Sequence, residues 1–272
     1  MTTGLMAAGF ASTGPESVRN IDPLDIDLSA VQREFEHRLD QLLDAWQSIT
    51  ADQRDQILDQ VRSAVTSNDI AALAHISVST AAATEALTQA MLEMALAAAQ
   101  QLVHEAREQD VRLDPVASDS AGFHVLAGAM AALLAEGLTN AAGREAWRRW
   151  SPSTSGDVVS AAVKQHLESL SDTFLRDNLG SALTAAQNTG RLNTALSGPS
   201  AAVYASEQMD KRTCPPCAHV NGKWIGNSDD PEIESKVEAV YPNGAFRDCE
   251  GGPRCRGTTV YVWRPAQVTG QE

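Results

Sequence analysis

The placement of the cysteines limits this chain more than any other feature. All four lie near the C-terminal end: Cys214 and Cys217 as a CxxC pair, Cys249 and Cys255 as a second cluster about thirty residues on. Nothing upstream resembles the stretch that carries them, Lys211 to Arg264. A unit of roughly 50 residues buries too little apolar surface to fold on its core alone, and needs a metal, a disulfide or a docking partner.

Local signals inside this stretch predict small mixed elements. Asn221-Gly222, between His219 and Ile225, accepts the positive φ of a type I′ turn and predicts a hairpin. Thr258 to Trp263 is β-branched and aromatic, the best strand candidate in the chain. Asp230-Pro231-Glu232 reads as a helix start, with proline in the first turn and acids at the positive end. Ile233, Val237 and Val240 give that helix one apolar face, and Tyr241-Pro242-Asn243-Gly244 ends it in a turn.

The two segments YASEQMDKRTCPPCAHVNGKW and YPNGAFRDCEGGPRCRGTTVYVW together resemble the C-terminal signature of the phage Mu F-like minor head proteins, a head-morphogenesis family of tailed phages. Asp210, Thr213, Cys214, Cys217, Asn221, Gly222, Cys249, Cys255, Arg256 and Thr258 stand where that signature expects them. Gly257 stands where many members carry a further cysteine. The resemblance covers roughly the last 65 residues, and is architectural over the rest. It implies a structural protein of the virion and not an enzyme, associated with the portal vertex or the inner capsid. Its implied partners are the portal, major capsid or scaffold proteins, with a role extending to DNA packaging or ejection.

Upstream, the chain is 43% hydrophobic but only 5% aromatic, so its core must be built mainly of Ala, Leu and Val. That composition favours closely packed helices. The expected fold is mainly α: a multi-helix N-terminal body with a small cysteine-containing α+β module at the C-terminus. The expected divisions are a flexible arm over residues 1–26, a helical body over 27–210, the module over 211–264 and a tail over 265–272. Ser29 with Gln32, and Thr50 with Gln53, read as capping boxes opening two helices. Asn68 and Asp69 predict a stop and restart, and Asp114-Pro115 a break. Residues 121–138 approach the length of a membrane span. His124, Glu136 and the glycines favour a buried helix and no membrane partner. Arg144, Arg148 and Arg149 beside Trp147 and Trp150 predict a helix C-terminus that favours cations. Asp157 is expected to cap one helix running from Val158 past Leu179 and fading near Gly190. Ser200 to Met209 reads as a short helix leading into the module.

The net charge is −14, and it is unevenly placed. Residues 1–210 hold 13 Lys/Arg against 27 Asp/Glu, whereas residues 211–264 hold 8 against 7. An acidic body repels phosphate backbones, so no specific nucleic-acid binding is expected. The N-terminus shows no positive n-region of a secretory signal, and clustered cysteines do not suggest a secreted scaffold; a reducing cytoplasm during assembly is the simpler setting.

The sequence contains no GxxxxGK[ST], strand-initiated GxGxxG or GxSxG run, and His104-Glu105 lacks a second histidine at metalloprotease spacing. The candidate metal ligands are therefore Cys214, Cys217, Cys249 and Cys255, with His219 as a substitute, and the candidate cofactor is Zn²⁺. Disulfides and free thiols stay open beside it. The alternative function is a thiol-redox or zinc-dependent enzyme using Cys214 and Cys217. Against a redox role, no strand precedes Cys-Pro-Pro-Cys and no long helix follows, as a thioredoxin-like unit requires.

Overall fold

The computed structural model describes residues 21–170 and 172–263. The expected tail lies outside the described residues, as do residues 1–20 of the expected arm. Within residues 21–26, Asp22 caps a 3-10 turn over Pro23–Asp25, and Leu24 rests beside Gly222 of the cysteine module.

Five long helices form the body: α1 (Ser29–Thr66), α2 (Ala81–Glu108), α3 (Ser120–Arg149), α4 (Gly156–Glu168) and α5 (Asp172–Leu196). The fold is mainly α, as the composition implies. Phe35, Leu39, Leu42 and Trp46 of α1 meet Leu87, Met91 and Met94 of α2, Phe123, Ala127 and Ala131 of α3, and Leu179 and Leu183 of α5. A second core joins Ile57, Val61 and Val65 of α1 to Ala142 and Ala146 of α3 and to Val159, Val163 and Leu167 of α4. The alanines and methionines fill the helix contacts, as the low aromatic content requires.

Several local expectations are corrected. The Ser29/Gln32 box does not form; Asp27 accepts the Ser29 N–H instead, at 2.8 Å. Thr50 and Gln53 do not open a second helix, because α1 runs unbroken through them. The Thr50 hydroxyl bonds back to the Trp46 carbonyl, and Gln53 donates to the Ser79 carbonyl across the gap before α2. Ser155, not Asp157, caps α4, and the single helix expected after it is two, α4 and α5. Gly190 does not end α5. It sits where α5 crosses α2, and a Cβ there would collide with the Ala95 backbone; the glycine permits this close approach at the expense of some helix propensity.

Asn68 (φ 56°) and Asp69 do stop α1 and cap the 3-10 turn Ile70–His75. At the end of α3, Arg148 and Arg149 both pair with buried Glu145, and Trp147 stacks near Trp150 with ring centroids 6.4 Å apart. The expectation that α3 is buried holds for one face alone. Phe123, Ala127, Ala131 and Leu134 point inward, while Val125, Leu126 and Leu133 are exposed. By length and composition α3 could span a membrane, and 28% of its most apolar window is buried.

The largest correction concerns Ser200 to Met209. These residues hold strand β1 (Ala202–Ser206), not a helix. β1 is the centre of a three-stranded antiparallel sheet, flanked by β2 (Trp224–Asn227) and β3 (Thr258–Val262) in the order β2-β1-β3. Tertiary pairing decides the conformation here, since Val203 and Tyr204 gain two ladders and a buried face. The Asn221-Gly222 turn likewise joins a helix to a strand and does not close a hairpin: helix α6 (Pro215–Val220) precedes it and β2 follows. Helix α7 (Ile233–Val240) has Asp230 accepting the Glu232 N–H at its start and buries Ile233 and Val237, as read from sequence.

The body and the module share a core. Leu102, Val103 and Ala106 of α2, Ala195 of α5, Val203 of β1, Ile233 and Val237 of α7 and Tyr261 of β3 pack as one cluster. At its edge, Arg191 of α5, with no exposed surface, forms a bidentate pair with Glu105 of α2 (2.8 and 2.7 Å) and donates to the Thr259 carbonyl of β3 at 3.0 Å. The helical body thus gives the small module a docking partner, and the sheet takes in Ala202–Ser206, upstream of the module boundary expected at 211.

Candidate metal centre

The chain leaves β1 at Glu207 and turns back towards α6. Thr213 ties this loop, accepting the Asp210 N–H at 2.8 Å and donating to the Gln208 carbonyl at 2.6 Å. Arg256, just before β3, forks onto both Asp210 oxygens at 2.9 and 3.0 Å. That fork, joined by the Arg212 N–H, pulls the Asp210 carboxyl down to about 2. Asp210, Thr213 and Arg256 therefore fix the shape of the loop that presents the cysteines.

Cys214 precedes α6 with extended backbone, and Pro215 and Pro216 start the helix where missing N–H groups cost nothing. Cys217 then falls three residues on, over the same face. On the other side, Cys249 and Cys255 flank a 3-10 turn, Gly252–Arg254, entered by Gly252 at φ 53°. The Phe246 N–H anchors Cys255 by donating to its Sγ at 3.2 Å.

The structure brings the four cysteines together as two overlapping groups. Cys214, Cys217 and Cys249 have sulfurs mutually within 4.8 Å; so do the Sγ atoms of Cys217 and Cys255 and a carboxylate oxygen of Glu207. Cys217 belongs to both. Cys214 Sγ lies 3.9 Å from Cys249 Sγ, and all four residues are free thiols. Cys214 and Cys249 are partly exposed at a cleft of about 530 Å³ between the body and the module, whereas Cys217 and Cys255 are buried.

His219 is not brought into either group; it is exposed on α6. Two residues beyond Cys217 on a helix, its side chain projects away from the shared cysteine face.

Glu207 is the residue that sequence reasoning missed. It is 6% exposed, one step beyond the central strand. The Asn221 side chain accepts its backbone N–H at 2.8 Å. Its carboxylate accepts from Tyr241 Oη on Oε1 (3.1 Å) and from Cys255 Sγ on Oε2 (3.8 Å). Gly257 makes the room: a Cβ there would collide with Glu207 Oε1 and the Tyr241 ring. The position where the resemblance expects a further cysteine is thus filled from across the sheet by Glu207. The one sequence signal for it was the run Ala202–Ser206, read as helix but able to pair as a strand.

The electrostatics separate the two groups. Burial raises Glu207 to about 7, against the hydrogen bonds from Tyr241, Cys217 and Cys255 that favour its charged form. Burial also pushes Cys255 up to about 12 and Cys217 far above the ordinary thiol range, with the Glu207 charge adding to both. Tyr241 is raised for the same two reasons. For Cys214, burial is outweighed by the N–H groups of Cys217 and Glu250 and by the neighbouring thiols, and its thiol is lowered. A set of thiols and a carboxylate this close, most of them unfavourable as anions without a counter-charge, has the donor chemistry of a site for a thiophilic dication.

No family model, curated protein or solved structure matches this chain.

Proposed function

We propose that this chain is a structural minor head protein of a tailed phage, acting in head morphogenesis at the portal vertex or inner capsid. The observation that carries the reading is the motif from Asp210 to Thr258, whose spaced Asp210, Thr213, cysteine and Arg256 residues all serve one folded module docked on the helical body. The exposed face of α3, with Val125, Leu126 and Leu133 and no charged residue from Ser120 to Ala135, gives that body an apolar surface for the portal protein. The acidic balance of residues 1–210 argues against DNA as the direct partner.

In the same reading Zn²⁺ staples the module through Cys214, Cys217 and Cys249, with Cys255 beside them. Zn–S bonds of about 2.3 Å in a tetrahedron place two sulfurs roughly 3.8 Å apart, and the Cys214–Cys249 separation of 3.9 Å suits that edge. The ion would neutralise the buried thiolates and tie the CxxC loop to the loop before β3.

The enzyme alternative draws on one observation, the lowered Cys214 thiol at the mouth of the cleft. The six-residue α6 behind it is not the long helix that stabilises a redox thiolate. Co-expression with the matching portal, followed by pull-down, tests the proposal. Co-purification at a defined ratio, lost in Leu126→Glu/Leu133→Glu, is expected; a chain that stays apart from portal complexes and instead reduces disulfides through Cys214 would reverse the ranking.

A further inference from the structure

Glu207 poses a problem that one zinc ion does not solve. One dication on Cys214, Cys217 and Cys249 leaves two further buried donors, Glu207 and Cys255, beside Cys217 with no metal of their own. Buried anions without a counter-charge are strongly unfavourable. Arg256 forks onto Asp210, hydrogen-bonds neither Glu207 oxygen and acts on that carboxylate only at a distance, as the weakest of the influences on it. A second dication would supply that counter-charge to both Glu207 and Cys255.

The geometry offers it a place. The group Glu207–Cys217–Cys255 is a second set of three donors within 4.8 Å of one another, distinct from Cys214–Cys217–Cys249 except for Cys217. Tyr241 holds one carboxylate oxygen by donating to it, as outer partners of metal-binding carboxylates do. Gly257 keeps the space clear that a side chain would fill. We infer that the module holds two cations, the second on Glu207, Cys217 and Cys255, with the Cys217 thiolate bridging the pair. Each cation displaces protons from its ligands on binding, and no electron is transferred. This inference rests on the zinc reading above, and not on the capsid reading.

Metal analysis of the full chain, purified under reducing conditions with zinc supplied, tests it. The wild type should carry two equivalents of zinc, and Glu207→Gln one. Gly257→Ala, which alters no ligand, should also fall towards one. One equivalent in the wild type, or two retained in Glu207→Gln, overturns the second site while leaving the first standing. No bound zinc in the wild type removes the zinc reading and this one together. Because Glu207→Gln could fail to fold, Co²⁺ titration of the wild type gives an independent arm. Two successive phases are expected, the second weakening the paramagnetic signal as the bridged ions couple. Saturation at one equivalent overturns the inference.

Discussion

Removing the Glu105 carboxylate should destabilise this protein more than any surface change of equal size. In Glu105→Gln the Arg191 guanidinium stays fully buried and keeps the Thr259 carbonyl, but loses both charge-assisted bonds to the carboxylate. Burial alone disfavours the charged guanidinium, and Glu105 is what holds its pKa above the ordinary range. Breaking one side of such a pair costs about 3–5 kcal/mol, because an uncompensated charge is left inside. With a urea slope of about 3 kcal/mol/M, at the upper end for small proteins, the unfolding midpoint should fall by roughly 1 to 1.7 M. A matched control is Glu108→Gln, which removes an exposed partner of His104 and should shift stability by less than about 0.5 kcal/mol. The double variant Glu105→Leu/Arg191→Met should recover much of the loss, since both desolvation costs vanish together. Far-ultraviolet circular dichroism through urea titration reads all four proteins. A Glu105→Gln shift no larger than the control would refute the claim that this pair locks α2 and α5 to β3.

Two further outcomes follow from named contacts and one from the charge balance. Asp210 has a depressed folded pKa of about 2, owed first to Arg256. Its stabilisation should be complete above the unfolded value of about 3.9 and lost as pH falls towards 2; Asp210→Asn should flatten that part of the stability–pH curve. Gly190→Ala should cost about 1–3 kcal/mol by overpacking against the Ala95 backbone, seen as a lower thermal midpoint despite alanine's better helix propensity. A gel-shift of the full chain at moderate salt should show only weak DNA binding, and tight, salt-sensitive binding would contradict the reading of the acidic body.

The helical body was legible because its signals are local and repeated. Apolar residues at helical spacing place Val31, Phe35, Leu39, Leu42 and Trp46 on one buried face without any knowledge of their partners. Asn68 and Asp69 could be read for the same reason, since a positive φ and a capping carboxylate act within a few residues. What failed was long-range. Ala202–Ser206 carries no pattern strong enough to outvote its alanines until β2 and β3 arrive on either side. Gly190 looks like a helix end in one dimension and is a crossing point in three. Thr50 looks like a cap, yet its hydroxyl is satisfied inside α1.

The candidate site divides in the same way. CxxC spacing and the second cysteine cluster announced four sulfurs, and they do converge. His219 was expected as a substitute ligand beside the CxxC pair, and helical geometry turns it away. Glu207 could not be found without the strand that delivers it, the Tyr241 hydroxyl that orients it and the missing Cβ of Gly257 that admits it.

The central claim, a virion protein built into the head, is tested most directly by quantitative mass spectrometry of purified phage particles and of their portal complexes. The account predicts peptides from this chain, including the Lys211–Arg264 module, in mature heads at a fixed ratio to the portal. Their absence from both particles and portal complexes, with the protein abundant in the surrounding lysate, would contradict it.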